Sequence, residues 1–220
     1  MSLEKVRERI YKAALRAGRS PEEVTLLVVS KGQPPERLLP LYQAGQRLFG
    51  ENRVQELLSK KPHLPADIAW HLIGSLQTNK VKAVLPHIVL LHSLDRESLL
   101  VEIEKRAERP LPCLIEVKIA QEATKHGVLP HELERLVERV LASPAVVLRG
   151  LMGMASLTED PAQIRREFRL LYQLYRRLAE KYPEAPIDTL SMGMSSDFEI
   201  AIEEGSTLVR IGSAVFSDLD

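Results

Sequence analysis

Eight short apolar segments separated by stretches of helical spacing constrain the fold of this sequence most strongly. The segments are rich in aliphatic and β-branched residues, which predicts strands at Val24–Lys31, Arg47–Glu51, Ala69–Gly74, Ile88–Ser93, Leu114–Ile119, Val146–Met152, Thr189–Met194 and Leu208–Ile211. Apolar residues spaced three or four apart predict helices between them, over 35–45, 53–60, 77–85, 95–108, 130–142, 160–181 and 196–204, with Ser2–Ala17 as an extra helix at the N-terminus. Strand and helix therefore alternate throughout the chain.

This alternation predicts a parallel α/β fold, because several strands are apolar on both faces and need cover on both sides. Eight strand–helix repeats close most economically into a single (β/α)8 TIM barrel. An open doubly wound sheet is the alternative, but no Gly-x-Gly-x-x-Gly motif follows the first strand. We expect one domain over residues 1–220 and no C-terminal β domain, since only Ser213–Asp220 follow the last strand. Pro110 and Pro112 place the start of the fifth strand after them.

Composition excludes several functional classes. The 30 basic and 30 acidic residues balance to a net charge of zero, which argues against nonspecific nucleic-acid binding. No apolar run approaches the roughly 18 residues of a membrane helix, and the N-terminus lacks the apolar core of a signal peptide. The single cysteine, Cys113, cannot form an internal disulfide and is expected to be a small buried hydrophobe. These features predict a cytoplasmic protein that binds neither nucleic acid nor membrane.

The active site of a barrel lies at the carboxyl ends of its strands, so the residues that end the apolar segments are the functional candidates. Lys31 ends the first strand, and there we expect it inside the barrel mouth. Desolvation would lower its pKa and give the neutral amine that attacks an aldehyde to form a Schiff base. The alternative is a strand-end lysine that reaches into solvent.

Small and hydroxyl residues follow the last two strands, where barrels often bind phosphate through loop amides and a helix N-terminus. They are Gly193, Ser195 and Ser196 after strand seven, and Gly212 and Ser213 after strand eight. Ser196 and Glu199 also fit a capping box, so this serine could cap the next helix. The two roles are compatible.

Arg210 lies near the end of the last apolar strand, where a permanently charged side chain needs an acceptor. An ion pair with a barrel carboxylate such as Glu116 is the simplest expectation. The sequence has six histidines but no His-Glu-x-x-His motif, which argues against a metal site, and no Gly-x-Ser-x-Gly elbow, which argues against a serine hydrolase.

The same strand ends carry motifs that resemble a known family, the pyridoxal phosphate homeostasis proteins, also called proline synthase co-transcribed homologues. The resemblance covers nearly the whole chain in order. Its segments are Val29-Ser30-Lys31, Phe49-Gly50-Glu51-Asn52-Arg53-Val54-Gln55-Glu56, Trp70-His71-Leu72-Ile73-Gly74-Ser75-Leu76-Gln77-Thr78-Asn79-Lys80, His92-Ser93-Leu94-Asp95, Arg149-Gly150-Leu151-Met152, Leu190-Ser191-Met192-Gly193-Met194-Ser195 and Gly205-Ser206-Thr207-Leu208-Val209-Arg210-Ile211-Gly212.

The resemblance implies a barrel of the alanine-racemase N-terminal type that carries pyridoxal 5'-phosphate as a Schiff base on Lys31. By the same match, Arg210 would face the pyridine nitrogen and Asn52 would lie near the ring. The residues implied around the phosphate are Ser191, Ser195, Gly212 and Ser213. No residue of this set is implied to be catalytic.

Three functions remain open on the sequence. The first is a protein that holds pyridoxal phosphate for vitamin B6 homeostasis, without significant turnover, and supplies it to apo-enzymes. An arginine at the ring favours this function, because it can only donate a hydrogen bond and leaves the ring a weaker electron sink. The second is a racemase-like enzyme acting on amino acids, and the third is a cofactor-free aldolase that uses Lys31. We expect a monomer.

Overall fold

The computed structural model describes residues 2–123 and 126–217, in which eight parallel strands form a closed barrel in sequence order. The strands are β1 Thr25–Val29, β2 Leu48–Glu51, β3 Ala69–Leu72, β4 Leu90–Leu94, β5 Leu111–Glu116, β6 Val146–Met152, β7 Thr189–Ser191 and β8 Leu208–Ile211. β1 pairs with β2 on one side and with β8 on the other, where Leu27 lies opposite Arg210. The predicted barrel is confirmed.

Helices surround the barrel: α1 Leu3–Arg16, α2 Pro35–Gln43, α3 Val54–Lys60, α4 Val81–Val84, α5 Glu97–Arg106, α6 Leu133–Leu141, α7 Pro161–Lys181, α8 Phe198–Glu203 and α9 Ser213–Phe216. Their starts follow local chemistry, as in α7, where the Asp160 carboxylate accepts a hydrogen bond from the Ala162 N–H and Pro161 is the first helical residue. The predicted N-terminal helix is α1, which packs against α8 and α9. No helix among the described residues is both long and apolar enough to cross a membrane.

Two separate apolar groups stabilise the barrel. The larger lies between strands and helices and includes Trp70 and Phe49, each at most 1% exposed. The smaller, inside the barrel, consists of Leu90, Leu114 and Met152 from three neighbouring strands. Residues two positions apart on a strand point to the same face. His92 and Glu116, two positions after Leu90 and Leu114, therefore point into the barrel mouth.

Several element boundaries differ from the predicted ones because hydrogen bonding, not apolar character, ends a strand. β5 begins at Leu111, not after Pro112, since a parallel neighbour, β6, pairs alongside both residues. β7 ends at Ser191 instead of Met194, and the predicted 77–85 helix is split into α4 and two flanking 3-10 turns. The helix α9 was not predicted, because four residues carry too little periodicity to detect.

Candidate functional site

A cavity of about 460 Å³ opens at the carboxyl ends of β1, β2, β7 and β8. That volume falls in the range of small-molecule sites. The cavity brings together six of the seven residues predicted for the site, and Ser191 lies outside its lining. The lining residues are Val29, Lys31, Gln33, Asn52, Met194, Ser195, Ser196, Arg210, Gly212, Ser213 and Phe216.

Lys31 stands at the corner of a tight turn that follows β1. The Gln33 N–H donates to the Ser30 carbonyl over 3.0 Å, and Gly32 has a φ of +73°, which a side chain would strain. The Lys31 side chain lines the cavity but is exposed. The expected desolvation of Lys31 is therefore wrong: the side chain lies at the cavity but reaches solvent, as in the alternative considered for a strand-end lysine.

Arg210 is the opposite case, with only 4% of its surface exposed. Its Nη1 donates to the Ser191 hydroxyl over 2.6 Å and its Nη2 to the Gly153 carbonyl over 3.2 Å. These two neutral acceptors, and not the expected ion pair with Glu116, hold the guanidinium. Burial lowers the pKa of Arg210 to about 10, so the side chain remains a cation at neutral pH.

A buried chain of hydrogen bonds continues from Ser191 across the barrel. The Ser191 Oγ lies 3.0 Å from His92 Nδ1, and His92 Nε2 lies 2.9 Å from His71 Nδ1. Burial lowers the pKa of His71 to about 4 and the pKa of His92 well below its usual value, so both rings are neutral. Arg210 can only donate, so the Ser191 oxygen accepts its hydrogen bond and the Ser191 hydroxyl proton is free to be donated to His92 Nδ1. The neutral His92 ring then carries its proton on Nε2 and donates it to His71 Nδ1.

The loops after β7 and β8 supply polar groups to the other wall of the cavity. Within the described ranges, no group accepts a hydrogen bond from the backbone N–H of Ser195, Ser196 or Ser213. Gly212 lets this wall approach β1, since a Cβ there would lie 2.9 Å from the Val29 carbonyl oxygen. Of the residues predicted after strands seven and eight, Ser195, Ser196, Gly212 and Ser213 line this cavity, whereas Gly193 packs against α8.

The expected capping role of Ser196 is not found. Asp197 occupies the position before α8, and its carboxylate accepts a hydrogen bond from the Met194 N–H over 2.7 Å instead of capping the helix. This contact folds the β7–α8 loop back on itself and leaves Ser196 at the cavity wall.

Asn52 lies between this cavity and a second one of about 620 Å³ on the β2–β5 side of the mouth. The predicted site set missed three charged residues behind Lys31: Glu51, Glu56 and Lys60. Glu51 is fully buried, and burial raises the pKa of its carboxyl against the opposing effect of Lys60. The spacing of Glu56 and Lys60 on one helical face was the available signal, but such pairs are usually solvated.

Comparisons with known proteins agree with this architecture over its full length. The model of the alanine racemase N-terminal domain family matches residues 2–220. A relative from Aquifex aeolicus, named pyridoxal phosphate homeostasis protein, is 47% identical over 98% of this chain and 96% of its own.

Solved structures show the same barrel. The structure of PipY from Synechococcus elongatus with PLP bound has a TM-score of 0.81 and 33% identity, covering 96% of this chain and 99% of that one. Alanine racemase from Corynebacterium glutamicum has a TM-score of 0.72, but at 15% identity, and it matches over 62% of its own chain. The latter similarity concerns the fold alone.

Proposed function

The chain belongs to the family of pyridoxal phosphate homeostasis proteins, and on that premise we propose that it binds pyridoxal 5'-phosphate in the barrel-mouth cavity. Lys31 would hold the cofactor as a Schiff base, and the protein would take part in vitamin B6 homeostasis and supply. The observation that carries this proposal is the shared cavity, which combines an accessible primary amine, a buried arginine and unbonded loop N–H groups.

The polar wall fits a phosphate group. The N–H groups of Ser195, Ser196 and Ser213 make no hydrogen bond to other described residues, and the three hydroxyls add further donors. Backbone N–H groups that converge at loop and helix starts bind phosphate oxygens well. Gly212 would keep this wall close to β1. Ser191 is proposed to act one step behind, through Arg210 and not through the phosphate.

The exposure of Lys31 supports a protein that exchanges its cofactor. A lysine that is open to solvent can be reached by water and by amines from other molecules, whereas enzymes that stabilise carbanions close their sites against water. Asn52, half-buried at the edge of the cavity, is proposed to contact the ring.

Arg210 favours cofactor holding without significant turnover. Bound pyridoxal phosphate supplies an electron sink for carbanions, and a proton on its ring nitrogen strengthens that sink. The Arg210 guanidinium has N–H donors and no acceptor, so it would leave that nitrogen without a proton. The neutral acceptors behind Arg210 keep its charge available to the cavity.

We further propose cytoplasmic PLP-dependent apo-enzymes as the recipients of the cofactor and a monomer as the working state. The single cysteine, Cys113, is fully buried, and burial raises the pKa of its thiol to about 12, which suits a packing role rather than redox chemistry.

The test is an absorbance spectrum of the purified protein with pyridoxal phosphate, recorded before and after borohydride, followed by peptide mapping. We expect a visible band that disappears on reduction and leaves a phosphopyridoxyl group on the Lys31 peptide. A protein that forms no band after soaking would contradict the cofactor assignment. Incubation with L-alanine and chiral analysis of the product tests turnover, since accumulating D-alanine would favour the racemase-like alternative.

A further inference from the structure

Two side chains of α3 hold the turn that carries Lys31, one on each side of it. The Lys60 ammonium donates to the Ser30 carbonyl over 2.6 Å, immediately before Lys31. The Glu56 carboxylate accepts from the Gly32 N–H over 2.6 Å, immediately after it. Because Glu56 and Lys60 are four residues apart on one helix, a single rigid element holds both peptide groups that flank Lys31.

The two side chains form part of a buried ionic network. Lys60 also donates to Glu51 over 2.6 Å and to Glu56 over 3.2 Å, so all three ammonium protons have acceptors. Glu51 in turn accepts from the Ser30 hydroxyl over 2.7 Å. Lys60 is 6% exposed and Glu51 is fully buried. Burying such charges is costly, and replacing a whole buried ion pair by hydrophobic residues of similar volume is often neutral or stabilising, so stability alone does not account for this network.

We propose that Lys60 and Glu56 are positioning residues, which fix the Lys31 backbone so that its amine meets the cofactor aldehyde. The inference rests on the proposed function. Within the described ranges, the Lys31 side chain makes no hydrogen bond or ion pair, and Lys31 is not among the residues with further contacts. The backbone turn, which these two residues hold, therefore sets the point from which the free Lys31 side chain extends and the region that its Nζ can reach.

The network also gives a role to the segment from Gly50 to Glu56, which the sequence motifs singled out and the cofactor cavity uses only at Asn52. Glu51 lies on β2 beneath the turn. From α3, Lys60 reaches Glu51, and Glu56 reaches the Gly32 N–H of the turn. Strand, helix and lysine turn are thus joined through side chains that never touch the cavity.

The experiment compares two ligands on the intact protein. Pyridoxal 5'-phosphate needs Lys31 for its covalent bond, whereas pyridoxine 5'-phosphate has an alcohol in place of the aldehyde and binds only through noncovalent contacts. The variants are Lys60→Met and Glu56→Ala. The second leaves the Lys60–Glu51 pair in place and removes a partly exposed side chain, so it keeps the test valid if Lys60→Met folds poorly. Lys61→Met and Gln55→Ala are neighbouring controls outside the network.

For both variants we expect the rate of visible band formation to fall on the order of 10- to 100-fold, the cost of a misplaced reacting group. We expect the affinity for pyridoxine phosphate, measured by calorimetry, to stay at the wild-type value. Both control variants should keep the wild-type rate and the wild-type affinity. A wild-type rate of band formation in both variants would overturn the positioning role. A loss of pyridoxine phosphate affinity as large as the loss of rate would overturn it too. A wild-type protein that binds pyridoxine phosphate but forms no band would instead overturn the proposed function and this inference with it.

Discussion

Lys31 and Arg210 reach the same cavity from adjacent strands, yet the protein holds them in opposite ways. Arg210 is held by its side chain, which is buried and bonded to Ser191 and Gly153. Lys31 is held by its backbone, through the peptide groups on both sides of it, while its side chain stays exposed.

The difference matches two chemical tasks. A fixed charge works best when its position and protonation do not change, and a side chain that is buried and held by hydrogen bonds meets that condition. An amine that forms and breaks a bond must move over a short range, and bonds to its own side chain would have to be broken each time. Fixing the backbone and freeing the side chain meets that requirement. The comparison therefore predicts that equivalent substitutions at the two positions have different consequences.

The largest effect is expected from Lys31→Ala. The visible band of the cofactor complex should be lost completely, because the amine that forms the bond is gone, while pyridoxine phosphate should still bind through the polar wall. Absorbance and calorimetry on the same sample measure the two effects. A band that persists, with the reduced label on another lysine such as Lys118, would show that the covalent role does not belong to this turn.

Arg210→Gln should spare the band and weaken retention. Losing charge-assisted hydrogen bonds costs about 1.5–3 kcal/mol, so cofactor affinity should fall roughly 10- to 100-fold. Equilibrium dialysis against pyridoxal phosphate measures the change, with Arg176→Gln, on the exposed face of α7, as the control. Equal retention in both variants would place Arg210 away from the ring.

Much of this site could be predicted from the sequence because the active site of a barrel lies at the carboxyl ends of its strands. Apolar β-branched runs locate the strands, and a barrel gathers every strand end at one face. Lys31 and Arg210 therefore stand out as charged residues next to apolar runs. Strand limits were less predictable, because pairing continues across Pro112 and stops before Gly193 for reasons of hydrogen bonding.

Exposure and side-chain partnerships were beyond the sequence. Lys60 looks like an ordinary solvent-facing helix residue, and only the tertiary structure places Glu51 and the Ser30 carbonyl around its ammonium. His92 lies in an apolar run, and no local pattern indicates its hydrogen bond to Ser191, which is 99 residues further along the chain. Local patterns identify which side chains lie at the mouth, but not which of them touch.

The pH dependence of the unfolding free energy reports on Glu116, a buried carboxyl near Arg210. Burial, reinforced by Asp95 and opposed by Arg210, raises the pKa of Glu116 to about 7. An unfolded glutamate titrates near 4.3, so between these values the folded protein binds more protons, and its stability falls as pH rises.

Glu116→Gln cannot titrate and should remove this dependence. Between pH 5 and pH 8 the variant should gain roughly 2 kcal/mol of unfolding free energy relative to wild type. Urea denaturation at both pH values measures it, with the exposed Glu36→Gln as the control. A constant difference between wild type and variant across this range would mean that Glu116 is ionised throughout, as a direct partner of Arg210 would be.

The smallest effect separates two buried serines at the barrel mouth. Ser191 links Arg210 to His92. Ser191→Ala therefore takes away one hydrogen-bond partner from each of these two buried groups and should cost about 1 kcal/mol of unfolding free energy. Ser93 is equally buried, but its hydroxyl has no hydrogen-bond partner in the described part of the chain. Ser93→Ala should therefore leave stability unchanged or raise it. Thermal unfolding of both variants makes the comparison, and equal losses would mean that the hydrogen bonds of the Ser191 hydroxyl to Arg210 and His92 contribute nothing to stability.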